Sequence, residues 1–384
     1  MSTPFAKNPD YVILGAGCAG LSLLMRMIRS EKFAGKKILL IDKTPKTCND
    51  RTWCFWEKQN GFFEEIVYKK WHSLNFYGPD YLCELDIAPY QYKMIRGIDF
   101  YNYCFEEIKK QNNVEIIFDE VKDIFFRDGT AIISLGNKQI KTGNPIIFNS
   151  IYISSKSNNN DIHLLQHFKG WKIETERPVF NPAIATLMDF RVRQDEGTTF
   201  SYTLPFSETK ALIEYTLFTE RLLNETQYDM ALEKYIREFL KIDHYKITEK
   251  EFGVIPMTNE KFQFYRNGMY HIGTAGGQTK PSSGYTFQFI QKQSERILNC
   301  LMTGHSLQDI SSTPKRFHFY DTVLLRLLKE RKLGGDKIFS KLFENNKAST
   351  VFKFLDNETS IREELKLIAT LPAMPFLKAA AGPI

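Results

Sequence analysis

Residues 11–25 read YVILGAGCAGLSLLM, and the fold class follows from this stretch. Tyr11 to Leu14 form a short apolar run around a β-branched pair, the pattern of a strand buried on both faces. Gly15, Gly17 and Gly20 then give G-x-G-x-x-G, and Leu21, Leu24, Met25 and Ile28 recur at the spacing of a helix opening from the turn. A second apolar strand, Ile38 to Ile41, ends on Asp42. Strand, glycine turn, helix and strand, with an acid about 20 residues past the last glycine, make the dinucleotide fingerprint. In it Gly15 permits the tight turn, Gly17 lets backbone N–H groups approach a pyrophosphate, and Gly20 lets the helix pack on the strand. The helix N-terminus offers partial positive charge to the phosphates. Asp42 would accept from ribose hydroxyls, or serve as an ordinary strand-end acid.

The stretch could pass for the apolar part of a signal peptide, but Asp10 and Arg26 bound it and its glycines interrupt it. It is also shorter than the roughly 20 apolar residues of a membrane-spanning helix. The expectation is a chain that neither spans a bilayer nor is exported, with contact to a membrane surface left open. At 384 residues, two or three domains are expected. The net charge of +6 is spread along the chain, not gathered into a basic stripe, so nucleic acid is not expected as a partner. Cys18, Cys48, Cys54, Cys83, Cys104 and Cys300 form no C-x-x-C pair and no metal-ligand spacing with the histidines. Free thiols in a reducing compartment, and no metal, are expected. The unusual figure is 31 Phe, 18 Tyr and 4 Trp, which fits either a dense core or an aromatic-lined cavity.

Short strands are expected over 66–92, a helix over 100–111, a strand over 114–121 and strand-like runs over 130–153. The polar run SSKSNNND, 154–161, reads as a connection. A meander of strands follows over 171–219 and a helix over 228–241. The run GMYHIGTAGG, 268–277, returns to a strand ending in glycines, and a helix opens within 283–302. The last eighty residues read as helical, with an S-x-x-E capping box at Ser360 to Glu363.

Four places could carry chemistry. In GTAGGQTKPSSGYTF, 273–287, a strand again meets a helix N-terminus, so Gly273, Gly276 and Gly277 could bring N–H groups to a cofactor or merely close a turn. In NDRTWCFW, 49–56, Arg51 could face phosphate or flavin, while Trp53, Phe55 and Trp56 could wall a cavity or belong to the core. In KALIEYTLF, 210–218, Glu214 shares a strand face with Leu212 and Thr216. Such a carboxyl either faces solvent or is buried, and if buried its pKa rises and it can donate a proton. Finally Ile338, Phe339, Leu342, Phe343, Phe352 and Leu355 recur at helical spacing among Lys337, Lys341 and Lys353, which suits a core face or an anionic bilayer surface.

Six of these segments, in order, resemble the bacterial lycopene beta-cyclases of the flavoprotein lycopene cyclase family: VILGAGCAGLSL, NDRTWCFW, IEYT, GVIPMT, GTAGGQTKPSSGYTF and, at the C-terminus, FLDNETS with MPFLKA. The resemblance runs nearly end to end. It implies an α/β flavoprotein with a Rossmann-type, discontinuous FAD-binding domain (1–65, 95–160 and 265–305). A β-sheet substrate domain (66–94 and 161–264) and a helical C-terminal region (306–384) would complete it. The implied reaction closes the linear ends of lycopene into β-ionone rings, with reduced FAD and no net redox change, and with NAD(P)H as electron source. Glu214 would be the acid, and Trp53, Phe55, Trp56, Tyr285 and Phe287 would face the carbocation. Lycopene and related carotenes would be the substrates, met by a cytoplasmic enzyme held peripherally on the inner face of the cell membrane. Tyr215 follows Glu214 where plant-type members carry a second acid, which removes the neighbour a shared proton would need. Gly273-Thr274 lacks the Gly-Asp pair of aromatic-ring hydroxylases, which counts against hydroxylation. A flavin-dependent monooxygenase, a prenyl-chain reductase and a non-catalytic carotenoid carrier remain open alternatives.

Overall fold

The computed structural model describes residues 8–136, 138–153, 161–310 and 313–382. The polar run expected as a connection lies, but for Asp161, outside the described residues. A six-stranded sheet orders the strands Tyr265–Arg266, Met269–His271, Ile146–Asn149, Tyr11–Leu14, Ile38–Asp42 and Val114–Phe118. All neighbours run parallel except the first pair. Two of its inner strands, YVIL and ILLID, are buried throughout, because helices cover one face and an antiparallel meander over residues 121–142 covers the other. Helix Cys18–Ile28 is buried over Cys18 to Met27, wedged between the sheet and helix Phe287–Thr303. Arg26 crosses that interface, donating to Gln291 Oε1 at 2.9 Å.

A seven-stranded sheet holds the meander, in the order Lys246–Thr258, His163–Glu174, Lys210–Thr219, Thr198–Pro205, Ile184–Asp189, Ser73–Tyr77 and Leu82–Asp86. One face packs on helix Glu225–Glu238. The other carries the C-terminal helices, where Phe339 stacks on Phe190 and Phe343 lies against Phe76. A small sheet of Thr52–Glu57, Gln91–Arg96 and Lys69–Trp71 sits between these units. The segment expected simply to follow the second strand is thus itself a strand, paired to the other side of the boundary drawn at residue 65.

The Lys-flanked apolar stripe of the C-terminal region follows the first of its two readings. Ile338, Phe339, Leu342, Phe343, Phe352 and Leu355 are all buried against the long sheet, so this stripe is core and offers nothing to a bilayer. The capping box at Ser360 forms as the sequence pattern requires, with both reciprocal hydrogen bonds.

Lys280 joins the glycine-rich 273–287 segment to these helices. It is 2% exposed, and its ammonium lies 2.8 Å from Asp321 Oδ1 and donates to Asn357 Oδ1 at 2.7 Å. Removing one partner of a buried ion pair strands the other charge, so Lys280→Ala should lower unfolding free energy by about 3–5 kcal/mol in urea titration.

Candidate functional site

The strands Tyr11–Leu14, Ile38–Asp42 and Ile146–Asn149 end at one edge of the parallel sheet, where open α/β sheets bind their ligands. Gly15 turns there with φ +93°, and a Cβ on Gly20 would lie 2.0 Å from the Gly15 carbonyl oxygen, which explains the close helix-to-strand contact. A Cβ on Gly17 would meet nothing within 4 Å. Gly17 caps helix Cys18–Ile28 without a side-chain hydrogen bond, and the helix has no acid in its first turn, so its amides face open space. Asp42 faces inward at 6% exposure. Its carboxylate accepts from the Ala16 N–H at 2.6 Å and the Thr44 N–H at 3.1 Å, and it pairs with Lys46, so it fixes the glycine loop.

Beyond this edge opens a cavity of about 440 Å³ whose lining joins two sets of residues. One set is polar: Gly17, Lys46, Arg51, Gly273 and Thr274. Uncapped amides and two cations suit the diphosphate of a dinucleotide. The other set is aromatic, with Phe168, Tyr202 and Tyr285 around Glu214, and Trp53 and Phe287 also in the wall. Phe168 reaches its place because Gly253 opposite has no side chain; a Cβ there would be 2.2 Å from the Phe168 ring.

Glu214 keeps some exposed surface, but that surface faces the cavity rather than bulk water. Burial drives its pKa well above the usual carboxylate range, and a hydrogen bond and like charge from Glu251 raise it further. The groups around it are held neutral too. Burial raises the Cys54 thiol and the Tyr92 and Tyr202 hydroxyls well above their usual values, and pushes Tyr285 up to about 12. The lining around Glu214 can therefore present a protonated carboxyl to a neutral acceptor and surround a resulting cation with uncharged side chains.

Among the sequence-selected residues, Gly17, Arg51, Trp53, Glu214, Gly273, Tyr285 and Phe287 line this one cavity. Gly15 and Gly20 shape the turn beside it. Gly276 and Gly277 pack behind, against His271 and Phe262. Phe55 and Trp56 do not line the cavity. Phe55 is 3% exposed and stacks on Phe287 at 4.3 Å, and Trp56 is 2% exposed and stacks on Phe352 at 4.4 Å. The expectation that both face substrate is corrected: their strand is covered on both sides. Glu251, Phe168 and Tyr202 escaped sequence reasoning, because only strand register brings them to Glu214.

The chain matches the family model described as lycopene cyclase protein over residues 10–381. It is 21% identical to a lycopene beta-cyclase of Pantoea ananas over 392 residues, covering 96% of both chains. It is 25% identical to a lycopene beta-cyclase of Paracoccus sp. (strain N81106 / MBIC 01143) over 227 residues, 55% of this chain and 57% of that one. Among solved structures, a geranylgeranyl bacteriochlorophyll reductase-like protein of Thermoplasma acidophilum superposes with TM-score 0.63 at 14% identity, covering 97% of this chain and 98% of that one. A p-nitrophenol 4-monooxygenase of Pseudomonas putida gives 0.60 at 13%, covering 98% and 100%. Both share the α/β architecture expected from the sequence.

The raised pKa of Glu214 has a sign that stability measurements can read. Glu214 stays protonated in the folded chain at pH values where an unfolded glutamate, with pKa about 4.3, is ionised. Its contribution is therefore complete below about pH 4.3 and is lost as pH rises towards the folded value. Glu214→Gln, a neutral isostere, should raise the urea midpoint at about pH 8, with the difference from wild type closing as pH falls towards about 4.5.

Proposed function

Because the chain belongs to the lycopene cyclase family, we propose that it is an FAD-dependent lycopene beta-cyclase. It closes the linear ψ ends of lycopene into β-ionone rings, through γ-carotene to β-carotene, as an isomerase with no net redox change. One observation carries this reading: a carboxyl held neutral in a cavity walled by aromatic rings and continuous with an uncapped glycine turn.

Ring closure starts with a proton added to a terminal alkene, and Glu214 is the acid. The alkene's π electrons form the new C–H bond, leaving a tertiary cation that a second double bond attacks to close the ring. The ring then loses a C–H proton to the carboxylate, the C–H electrons become the ring double bond, and proton and charge both balance. Phe168, Tyr202 and Tyr285 exclude water that would trap the cation, and each ring face can stabilise it by about 0.5–2 kcal/mol. Gly17, Arg51, Lys46, Gly273 and Thr274 would hold the FAD, with Gly15 and Gly20 shaping the turn and Asp42 fixing the loop beneath. When bound in its reduced form, with NAD(P)H as electron source, FAD supplies negative charge that favours a nearby cation.

The substrates, lycopene and related carotenes, partition into bilayers, so we place the enzyme in the cytoplasm, peripheral on the inner face of the cell membrane. Among the described residues no helix is long and apolar enough to cross a membrane. Surface contact instead falls to helices Ile361–Ile368 and Ala373–Ala380. There Ile361, Leu365, Met374 and Leu377 are 62–64% exposed, and Arg362, Lys366 and Lys378 are exposed among them.

Two measurements follow. In a lycopene-accumulating bacterial host this chain should yield γ- or β-carotene, and Glu214→Gln should reduce ring formation by about 100-fold or more while the purified protein keeps its flavin absorbance. Unchanged lycopene beside a well-folded, flavin-loaded wild type refutes the reading. Replacing Ile361, Leu365, Met374 and Leu377 together by serine should cut sedimentation with anionic vesicles by more than about tenfold, with the fold intact by circular dichroism.

A further inference from the structure

Strand His163–Glu174 is flanked by Lys210–Thr219 on one edge and Lys246–Thr258 on the other, and Gly170 pairs with Glu214 in the first and Glu251 in the second. The three residues form one row across the sheet, with both carboxyls rising from the same face. Two strand spacings separate the glutamate backbones by about 9–10 Å. Their side chains can meet because the residue between them has none. A Cβ on Gly170 would lie 2.8 Å from Glu251 Cγ and 3.1 Å from Glu214 Cγ. Glu251 is itself held in place: Thr52 Oγ1 donates to its Oε2 at 2.7 Å. Its other oxygen, Oε1, is buried without a hydrogen-bond partner, and the Glu214 carboxyl is close enough to hydrogen-bond Glu251.

We propose that Glu214 and Glu251 form a carboxyl pair sharing one proton over Gly170, in which Glu251 is the positioning partner that keeps the proton on Glu214 and carries the negative charge. The role in turnover rests on the cyclase reading; the pair itself does not. The surroundings set the asymmetry. Glu214 faces Cys54, Tyr202 and Tyr285, all neutral, inside the main cavity. Glu251 lines a separate pocket of about 30 Å³ with Arg96, which pairs with Asp99, and Lys172, which pairs with Glu249; Lys250, the preceding strand residue, lies on the opposite face over the Trp171 ring. Thr52 Oγ1 hydrogen-bonds Glu251 while Glu214 faces the neutral lining of the cavity, so in the pair the charge rests on Glu251 and the proton on Glu214. During turnover the pair passes one proton to the alkene, holds two negative charges opposite the carbocation, and recovers one proton from the ring.

The test is a pH titration of the protonated-carboxyl infrared band that disappears in Glu214→Gln, which needs no turnover. In Glu251→Gln the like charge is gone, so the band's midpoint should fall by about one pH unit or more. Gly170→Ala, which pushes the carboxyls apart, should move it in the same direction and serves if Glu251→Gln fails to fold. In turnover, Glu251→Gln should lose about tenfold or more in kcat at pH about 8, less at pH about 6, with KM for lycopene unchanged. A midpoint that stays within experimental error in both variants overturns the pair. A wild type with the shifted band but no ring formation refutes the cyclase reading and leaves the pair standing.

Discussion

Charging a carboxyl group inside a cavity walled by aromatic rings costs several kcal/mol, and the site is organised around that cost. Glu214 avoids it by staying protonated. The same burial that keeps it neutral limits bulk water, so in the proposed reaction one physical circumstance prepares the acid and protects the cation it would make. A solvent-facing glutamate in the same strand would be ionised at neutral pH and of no use as a donor. In the proposed reaction the weaker acidity that comes with a raised pKa would be offset by the negative charge left close to the cation after transfer.

The long antiparallel sheet supplies the flat wall this requires, and it does so by omission. Gly253 leaves space that the Phe168 ring fills, and Gly170 leaves space that two carboxyls fill. Neighbouring strand positions are otherwise occupied by side chains of ordinary size, so the wall has relief at these two glycines. The aromatic abundance divides between two uses. Phe76, Phe190, Phe339, Phe343, Phe352 and Trp56 knit the C-terminal helices to the sheet, while Trp53, Phe168, Tyr202, Tyr285 and Phe287 border the cavity.

The parallel half of the fold was legible because its signal is local. Residues 11–42 carry strand, turn, helix and strand in one continuous run, each glycine having a separate geometric duty. The cavity was legible only in part. Alternation along Thr52–Glu57 separates Trp53 and Phe55 from Cys54 and Trp56, but it does not say that helix Phe287–Thr303 covers one side and Phe352 the other. Periodicity in the C-terminal region showed a face to be buried without showing what buries it. Glu251 was invisible: its relation to Glu214 depends on two strands meeting a third in register on opposite edges, and nothing near it in the chain encodes that. The absent second acid after Glu214 in sequence is present beside it in space.

Lys280 gives the architecture a mechanical property. It lies between the glycine turn at 273–277 and Tyr285, and its partners Asp321 and Asn357 belong to the C-terminal helical layer. A buried ammonium released from both would be left uncompensated, so separating the layer from the cavity wall carries that cost. Load applied to the outer helices is therefore borne partly by the wall of the cavity.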